Sequence, residues 1–234
     1  MEGADCRQTV TEGQTVVCGM EIDMELQILH AIQEIHQGWL TDVMRLFTTI
    51  GESGLVWIAI AIVLTCIPKT RKCGLTMMIA MAITYLVGNL FLKNVIARPR
   101  PCAVDNSVIL KIPFPSEYSF PSGHSSNGFA GAVTIFCYYR RAGLLSLLMA
   151  ALIAFSRLYF FVHYPTDILG GILLGTLDAL LAVWLVNIWR TGRMRSLHRT
   201  QINPNTCRKN KIMGQKPGSD RKGKNGDEQQ NVME

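Results

Sequence analysis

Five stretches of this 234-residue chain carry no charged side chain: residues 53–68, 74–92, 125–139, 142–156 and 168–177. Such runs constrain the fold more than any motif does. A helix needs about 20 apolar residues, within about 17 to 25, to cross a bilayer, and backbone in hydrocarbon has to satisfy its own hydrogen bonds. The runs predict an all-α, polytopic membrane bundle of five spans, with six as the alternative count. The third and fourth are short and require interfacial anchors to extend them. The fifth reaches full length, 168–189, only by including Asp178 near its middle. An acid there belongs either to a proton path or, the favoured reading, to a hydrogen bond with a neighbouring helix. Gly171 and Gly175 form a small-xxx-small pair on the same helix, suited to close contact within the bundle or between two copies.

Charge orients the bundle. Lys69, Arg71 and Lys72 separate spans one and two, Arg140 and Arg141 separate spans three and four, and Arg190, Arg193 and Arg195 follow span five. These loops share one face, which the positive-inside rule makes cytoplasmic. Tyr138, Tyr139, Trp184 and Trp189 stand near the same ends as an aromatic belt. Five spans then put the N-terminus outside and the C-terminus inside, with Lys93, Arg98, Arg100, Lys111 and Arg157 as cations on the outer side, against the rule.

The chain divides into a polar segment 1–21, a membrane domain 22–190 and a basic tail 191–234. No basic n-region followed by an apolar stretch marks a signal peptide at the start. Residues 22–50 place Ile22, Leu26, Leu29, Ile32 and Ile35 among Asp23, Glu25, His30, Glu34 and His36, the pattern of an amphipathic helix lying at the interface. A second short helix is predicted over 39–50, ended by Gly51 and Gly54. From Arg190 onward the chain holds 11 of the 23 basic and 4 of the 17 acidic residues, a net +7 against −1 for everything before it. The overall basicity therefore belongs to the tail and gives no reason to expect nucleic acid as a partner of the bundle. The tail's composition predicts disorder, with either attraction to anionic headgroups or no role. Seven cysteines, Cys6, Cys18, Cys66, Cys73, Cys102, Cys137 and Cys207, include no Cys-x-x-Cys pair and no metal-ligand spacing. A Cys6–Cys18 bridge is weakly supported.

Three polar clusters interrupt the apolar part, and strong charges beside spans are usually functional. In residues 93–101, Lys93 closes span two and Arg100 stands between Pro99 and Pro101, which end the helix and stiffen the segment. Arg offers phosphate a planar fork and Lys a point charge; snorkelling interface cations are an equal reading of this cluster alone. Arg98 is an ambiguous extra. Residues 121–124, Pro-Ser-Gly-His, precede span three, where helix N-terminal amides opened by Gly123 suit an anion. Ser122 suits either a cap or a hydroxyl donor to phosphate, and His124 a general acid. In residues 156–167, Arg157 ends span four, His163 lies in the outer connection and Asp167 opens span five. A carboxylate accepting the Nδ1 proton of an imidazole leaves Nε2 with its lone pair, which makes His163 a nucleophile.

Lys-x6-Arg-Pro, Pro-Ser-Gly-His and Ser-Arg-x5-His-x3-Asp, in this order, resemble the three signatures of the type 2 phosphatidic acid phosphatase and haloperoxidase superfamily, here its bacterial membrane lipid phosphatase branch. The resemblance covers roughly residues 38–190. Many bacterial members have a further span ahead of the interfacial helix, which is not evident here. The resemblance implies a phosphatase working without metal or other cofactor. Lys93, Arg100, Arg157, Ser122 and the Gly123 amide would hold the phosphoryl oxygens, His163 would attack, Asp167 would orient it, and His124 would protonate the leaving group. The expected partners are the bilayer and a lipid phosphate or diphosphate in it. Undecaprenyl diphosphate comes first, with phosphatidic acid and phosphatidylglycerol phosphate next. A vanadate-dependent haloperoxidase would share the clamp, but members with that activity are soluble. A non-catalytic transporter or scaffold is the remaining class, and an intact set of catalytic residue types speaks against it. Oligomeric state is not legible.

Overall fold

The computed structural model of the protein describes residues 12–105 and 107–201, with side chains from residue 22 to 191 except 53 and 106. The expected tail beyond residue 201, Cys6 and the side chain of Cys18 lie outside these limits, while residues 191–201, expected in the disordered tail, continue the last helix. The chain divides into two units, Met1–Ile188 and Trp189–Glu234, and every predicted site residue belongs to the first.

Among the described residues all regular structure is helical. Two helices lead in, α1 (Glu12–Glu34) and α2 (Gly38–Ile50), and a 3-10 turn at Glu52–Gly54 joins them to α3 (Leu55–Cys66). Gly54 carries φ 69°, a left-handed conformation that glycine adopts without a Cβ penalty. Next come α4 (Arg71–Thr84), a π-helical segment (Tyr85–Leu92) and the short α5 (Lys93–Ile96), which form one continuous rod. After the single turn α6 (Pro101–Val104) a long loop leads to α7 (Gly123–Tyr138), α8 (Arg140–Tyr159) and α9 (Pro165–Gln201).

Three of these stretches are long and apolar enough to cross a membrane: Arg71–Val104, Arg140–Tyr159 and Pro165–Thr191. A fourth arises if α2 and α3, bent by 53°, count as one span. The five-span expectation is thus met only in part. The first run forms a helix of 12 residues and the third one of 16. At 1.5 Å per residue these are about 18 and 24 Å long, short of a hydrocarbon core of about 30 Å.

Trp57 of α3, Met77 and Met81 of α4, Ala132 and Ile135 of α7, and Ala150 and Ile153 of α8 make one buried cluster. Helix α9 closes against α7 through its glycines: a Cβ on Gly175 would stand 2.2 Å from the Ser126 carbonyl oxygen, and one on Gly171 2.7 Å from that of Ser122. The small-residue pair therefore serves contact within the bundle. Asp178 follows the favoured expectation, its Oδ2 accepting a hydrogen bond from Thr84 Oγ1 at 2.8 Å. A second cluster gathers Leu29 of α1, Met44 of α2, Cys102 of α6 and the wholly buried run Tyr159 to Val162. Helices α1 and α2 thereby cap the turn between α8 and α9, and that turn carries His163.

Candidate active site

The Ser-Arg-x5-His-x3-Asp signature is built on that turn. Helix α8 delivers Arg157 in its last turn. The chain then reverses through Phe161 at φ 59°, a strained conformation for an aromatic residue, held by complete burial. Asp167 enters the first turn of α9, and its Oδ2 accepts the Tyr164 backbone N–H at 2.8 Å. The imidazole of His163, 2 % exposed, is fixed between these elements.

Its tautomer follows from its neighbours. Arg100 Nη1 donates to His163 Nε2 at 3.2 Å. A guanidinium has no acceptor, so Nε2 holds the lone pair and Nδ1 the proton. Nδ1 faces Asp167 Oδ2 at 3.5 Å. Ser119 Oγ lies 3.4 Å from Nδ1 and donates to the same carboxylate oxygen. Burial pushes the imidazole down to about 3, with the positive charges of Arg100 and Arg157 acting the same way and Asp167 opposing them. His163 is therefore neutral at physiological pH.

Arg98, ambiguous in the sequence, pairs with the outer side of the same carboxylate. Its Nη1 donates to Asp167 Oδ1 at 2.8 Å and to Thr166 Oγ1 at 2.6 Å, its Nη2 pairs with Glu25 of α1, and its guanidinium lies 4.0 Å over the Tyr164 ring. Arg98 and Arg100 thus bracket the His163–Asp167 pair from its two ends. Of the two, Arg100 reaches Nε2.

The predicted clamp gathers around a cavity of about 670 Å³ whose wall includes Lys93, Arg100, Gly123, His124, Arg157 and His163. Arg100 is 6 % exposed and held by backbone carbonyls, Nε donating to Glu117 at 2.6 Å and Nη1 to Val162 at 2.9 Å. Lys93 is buried and paired with the Glu117 carboxylate, which this hydrogen bond and charge hold below the usual carboxylate range. Arg157 donates to Thr48 Oγ1 of α2, while its Nε has no hydrogen-bond partner among the described residues. The ring of His124 pairs with the Thr48 backbone, and its buried Nε2 makes no hydrogen bond among the described residues. A Cβ on Gly51 would come within 3.1 Å of the His124 ring and 2.4 Å of Ile153, so the turn after α2 packs directly on this histidine.

Two predicted residues lie off the cavity wall. Asp167, fully buried, stands behind His163 as expected of an orienting group. Ser122 departs from the capping reading, making no side-chain cap bond to α7, and it is fully buried. Its Oγ accepts from Ser125 Oγ at 3.2 Å, and its N–H donates to the Asp167 carbonyl at 3.1 Å. Ser122 thus ties the start of α7 to the start of α9. At Gly123 a Cβ would meet Asn89 Oδ1 at 3.4 Å and Lys93 Nζ at 3.8 Å, so the N-terminus of α7 lies beside the lysine.

The chain is similar in sequence and fold to known proteins. The chain is 34 % identical over 145 residues to an undecaprenyl-diphosphatase of Sulfolobus acidocaldarius, covering 62 % of this chain and 68 % of the relative. It is 32 % identical over 157 residues to phosphatidylglycerophosphatase B of Bacillus subtilis, covering 61 % and 73 %. The crystal structure of a transmembrane PAP2 type phosphatidylglycerolphosphate phosphatase from Bacillus subtilis superposes with a TM-score of 0.58 at 29 % identity, over 70 % of this chain and 84 % of the other. Aquifex aeolicus LpxE superposes with a TM-score of 0.60 at 27 % identity, over 68 % and 93 %. A bacterial vanadium-dependent iodoperoxidase shares the fold, with a TM-score of 0.57 at 19 % identity over 68 % and 48 %. Residues 73–191, which contain all eight predicted site residues, match one family over more than half of the sequence, and the chain belongs to the PAP2 superfamily.

Proposed function

We propose that this chain is a membrane lipid phosphatase that removes the terminal phosphate of a lipid diphosphate or phosphate through a phosphohistidine intermediate. Undecaprenyl diphosphate is the first choice of substrate, and phosphatidic acid or phosphatidylglycerol phosphate the second. One observation carries the reading: a buried, neutral imidazole whose lone-pair nitrogen faces Arg100 and the cavity, with a carboxylate behind its other nitrogen.

The terminal phosphoryl group sits between Lys93, Arg100, Arg157 and the Gly123 amide, taking over Arg100 Nη1 from His163. His163 Nε2 attacks phosphorus, and Asp167 stabilises the positive charge that grows on the ring. The positioned cations neutralise charge spread over the equatorial oxygens, the large term in such a transfer. His124 gives a proton to the leaving oxygen, then takes one from the water that hydrolyses the phosphohistidine. Its buried Nε2, bound to none of the described residues, suits that exchange.

The five-span arrangement is retained as part of the proposal, with α3, the rod beginning at α4, α7, α8 and α9 as crossings. The site then lies on the outer face and the tail inside. Support comes from Lys69, Arg71, Lys72, Arg140 and Arg141, which cluster at the helix ends remote from His163. A site at the membrane rim suits a headgroup that stays anchored by its chain.

Phosphate release from purified protein on a panel of lipid phosphates and diphosphates in chelator tests the activity. The expected result is turnover that orthovanadate inhibits; silence on every lipid would remove the proposal.

A further inference from the structure

The cavity is larger than one phosphate group requires, and its charge falls in two places. Five cations and two carboxylates line it, leaving three positive charges unbalanced by acids. Both acids serve the clamp: Glu117 pairs with Lys93, and Glu52 acts electrostatically on Arg157. The other two cations, Arg45 of α2 and Lys111 of the loop before α7, have no carboxylate within ion-pair distance among the described residues. They are nevertheless held together, because Arg45 Nη2 donates to the Lys111 carbonyl oxygen at 3.3 Å. Arg45 lies three residues before Thr48, hence on the same helix face about 5–6 Å away, and Thr48 is bonded directly to Arg157.

On the phosphatase reading above, we propose that Arg45 and Lys111 form an outer anion subsite, holding the lipid-proximal phosphate of a diphosphate while the clamp holds the terminal one. This selects lipid diphosphates over monophosphates. In the reaction the bond from His163 Nε2 to the terminal phosphorus forms as the bond from that phosphorus to the bridging oxygen breaks. The bridging oxygen keeps the electron pair and takes the proton from His124, and the lipid monophosphate leaves from between Arg45 and Lys111. Water then releases inorganic phosphate from His163. The products are one lipid monophosphate and one phosphate per water consumed.

The test uses the full-length protein in detergent, wild type against Arg45→Ala, Lys111→Gln and the double variant. Substrates are a polyprenyl diphosphate and the monophosphate of the same chain. The wild type prefers the diphosphate, and each single variant lowers that preference in kcat/KM about tenfold, the loss expected for one hydrogen bond to a charged group. Binding of methylenebisphosphonate against inorganic phosphate, read by thermal shift, gives a second measurement that needs no turnover: the wild type favours the bisphosphonate and the double variant does not. An unchanged preference, equal loss on both substrates, or a wild type that binds the two probes alike overturns the subsite. A protein that favours bisphosphonate in an Arg45- and Lys111-dependent way yet hydrolyses no lipid retains the subsite and loses the phosphatase reading instead.

Discussion

His163 is the side chain whose loss nothing else in the cavity can replace. His163→Ala should reduce lipid phosphatase turnover below detection while the protein still purifies as a monodisperse species, measured by phosphate release; retention of full activity would remove the nucleophile assignment. Asp167→Asn should lower kcat by roughly three to four orders of magnitude, the scale of a wrong-tautomer defect, because an amide no longer favours the Nδ1 proton. Burial holds His163 near 3, against about 6.5 in an unfolded chain. Between those values the unfolded state binds a proton that the native site refuses, so this group destabilises the fold as pH falls from about 6.5 toward 3 and has no effect above. Thermal unfolding in detergent should therefore show a lower midpoint at pH 5 than at pH 7. The drop should shrink in His163→Gln, and an identical drop would mean that other groups carry it.

Two elements set the geometry around those residues. The π-helical segment Tyr85–Leu92 leads directly into Lys93 and carries Asn89 on the cavity wall. Segments of this kind turn the following residues relative to an α-helix and recur at functional sites. Deleting Leu90 should restore α-helical phase and rotate Lys93 by about 100°. Turnover should fall at least tenfold with helical circular dichroism unchanged. The α7–α9 contact is set by backbone proximity, so Gly175→Ala forces a methyl group against the Ser126 carbonyl. It should destabilise the bundle by about 1–3 kcal/mol, seen as a lower thermal midpoint, with residual activity falling because Ser122 couples α7 to Asp167. Helices α1 and α2 act on the site from outside the signature regions. The first sends Glu25 to Arg98, and the second sends Thr48 to Arg157 and His124.

For the whole molecule, the arrangement across the membrane has a direct check. Cys66 and Cys137 are exposed thiols at the helix ends remote from the site, and Ser107 is exposed in the loop on the site's side. In a background lacking Cys6 and Cys18, a membrane-impermeant maleimide applied to intact cells should label Ser107→Cys and spare Cys66 and Cys137; the reverse pattern would place the site inside.

Sequence alone determined the helical class, the apolar elements, and the three clusters to which the proposed nucleophile, acid and clamp belong. It also carried the helix-to-helix reading of Asp178. All of these rest on short-range spacing: charge-free length, or a few residues at fixed offsets on one turn, which the chain's own connectivity brings together. Tertiary structure alone decided that Arg98 braces Asp167 while Arg100 meets His163, that Ser119 and Thr48 complete the hydrogen bonding, that Ser122 is buried where α7 meets α9, and that α3 and α7 are too short by themselves to span. Single polar residues far apart in the chain leave no period to read. Their partners are chosen by which helices pack together and by the demand that every buried charge find one.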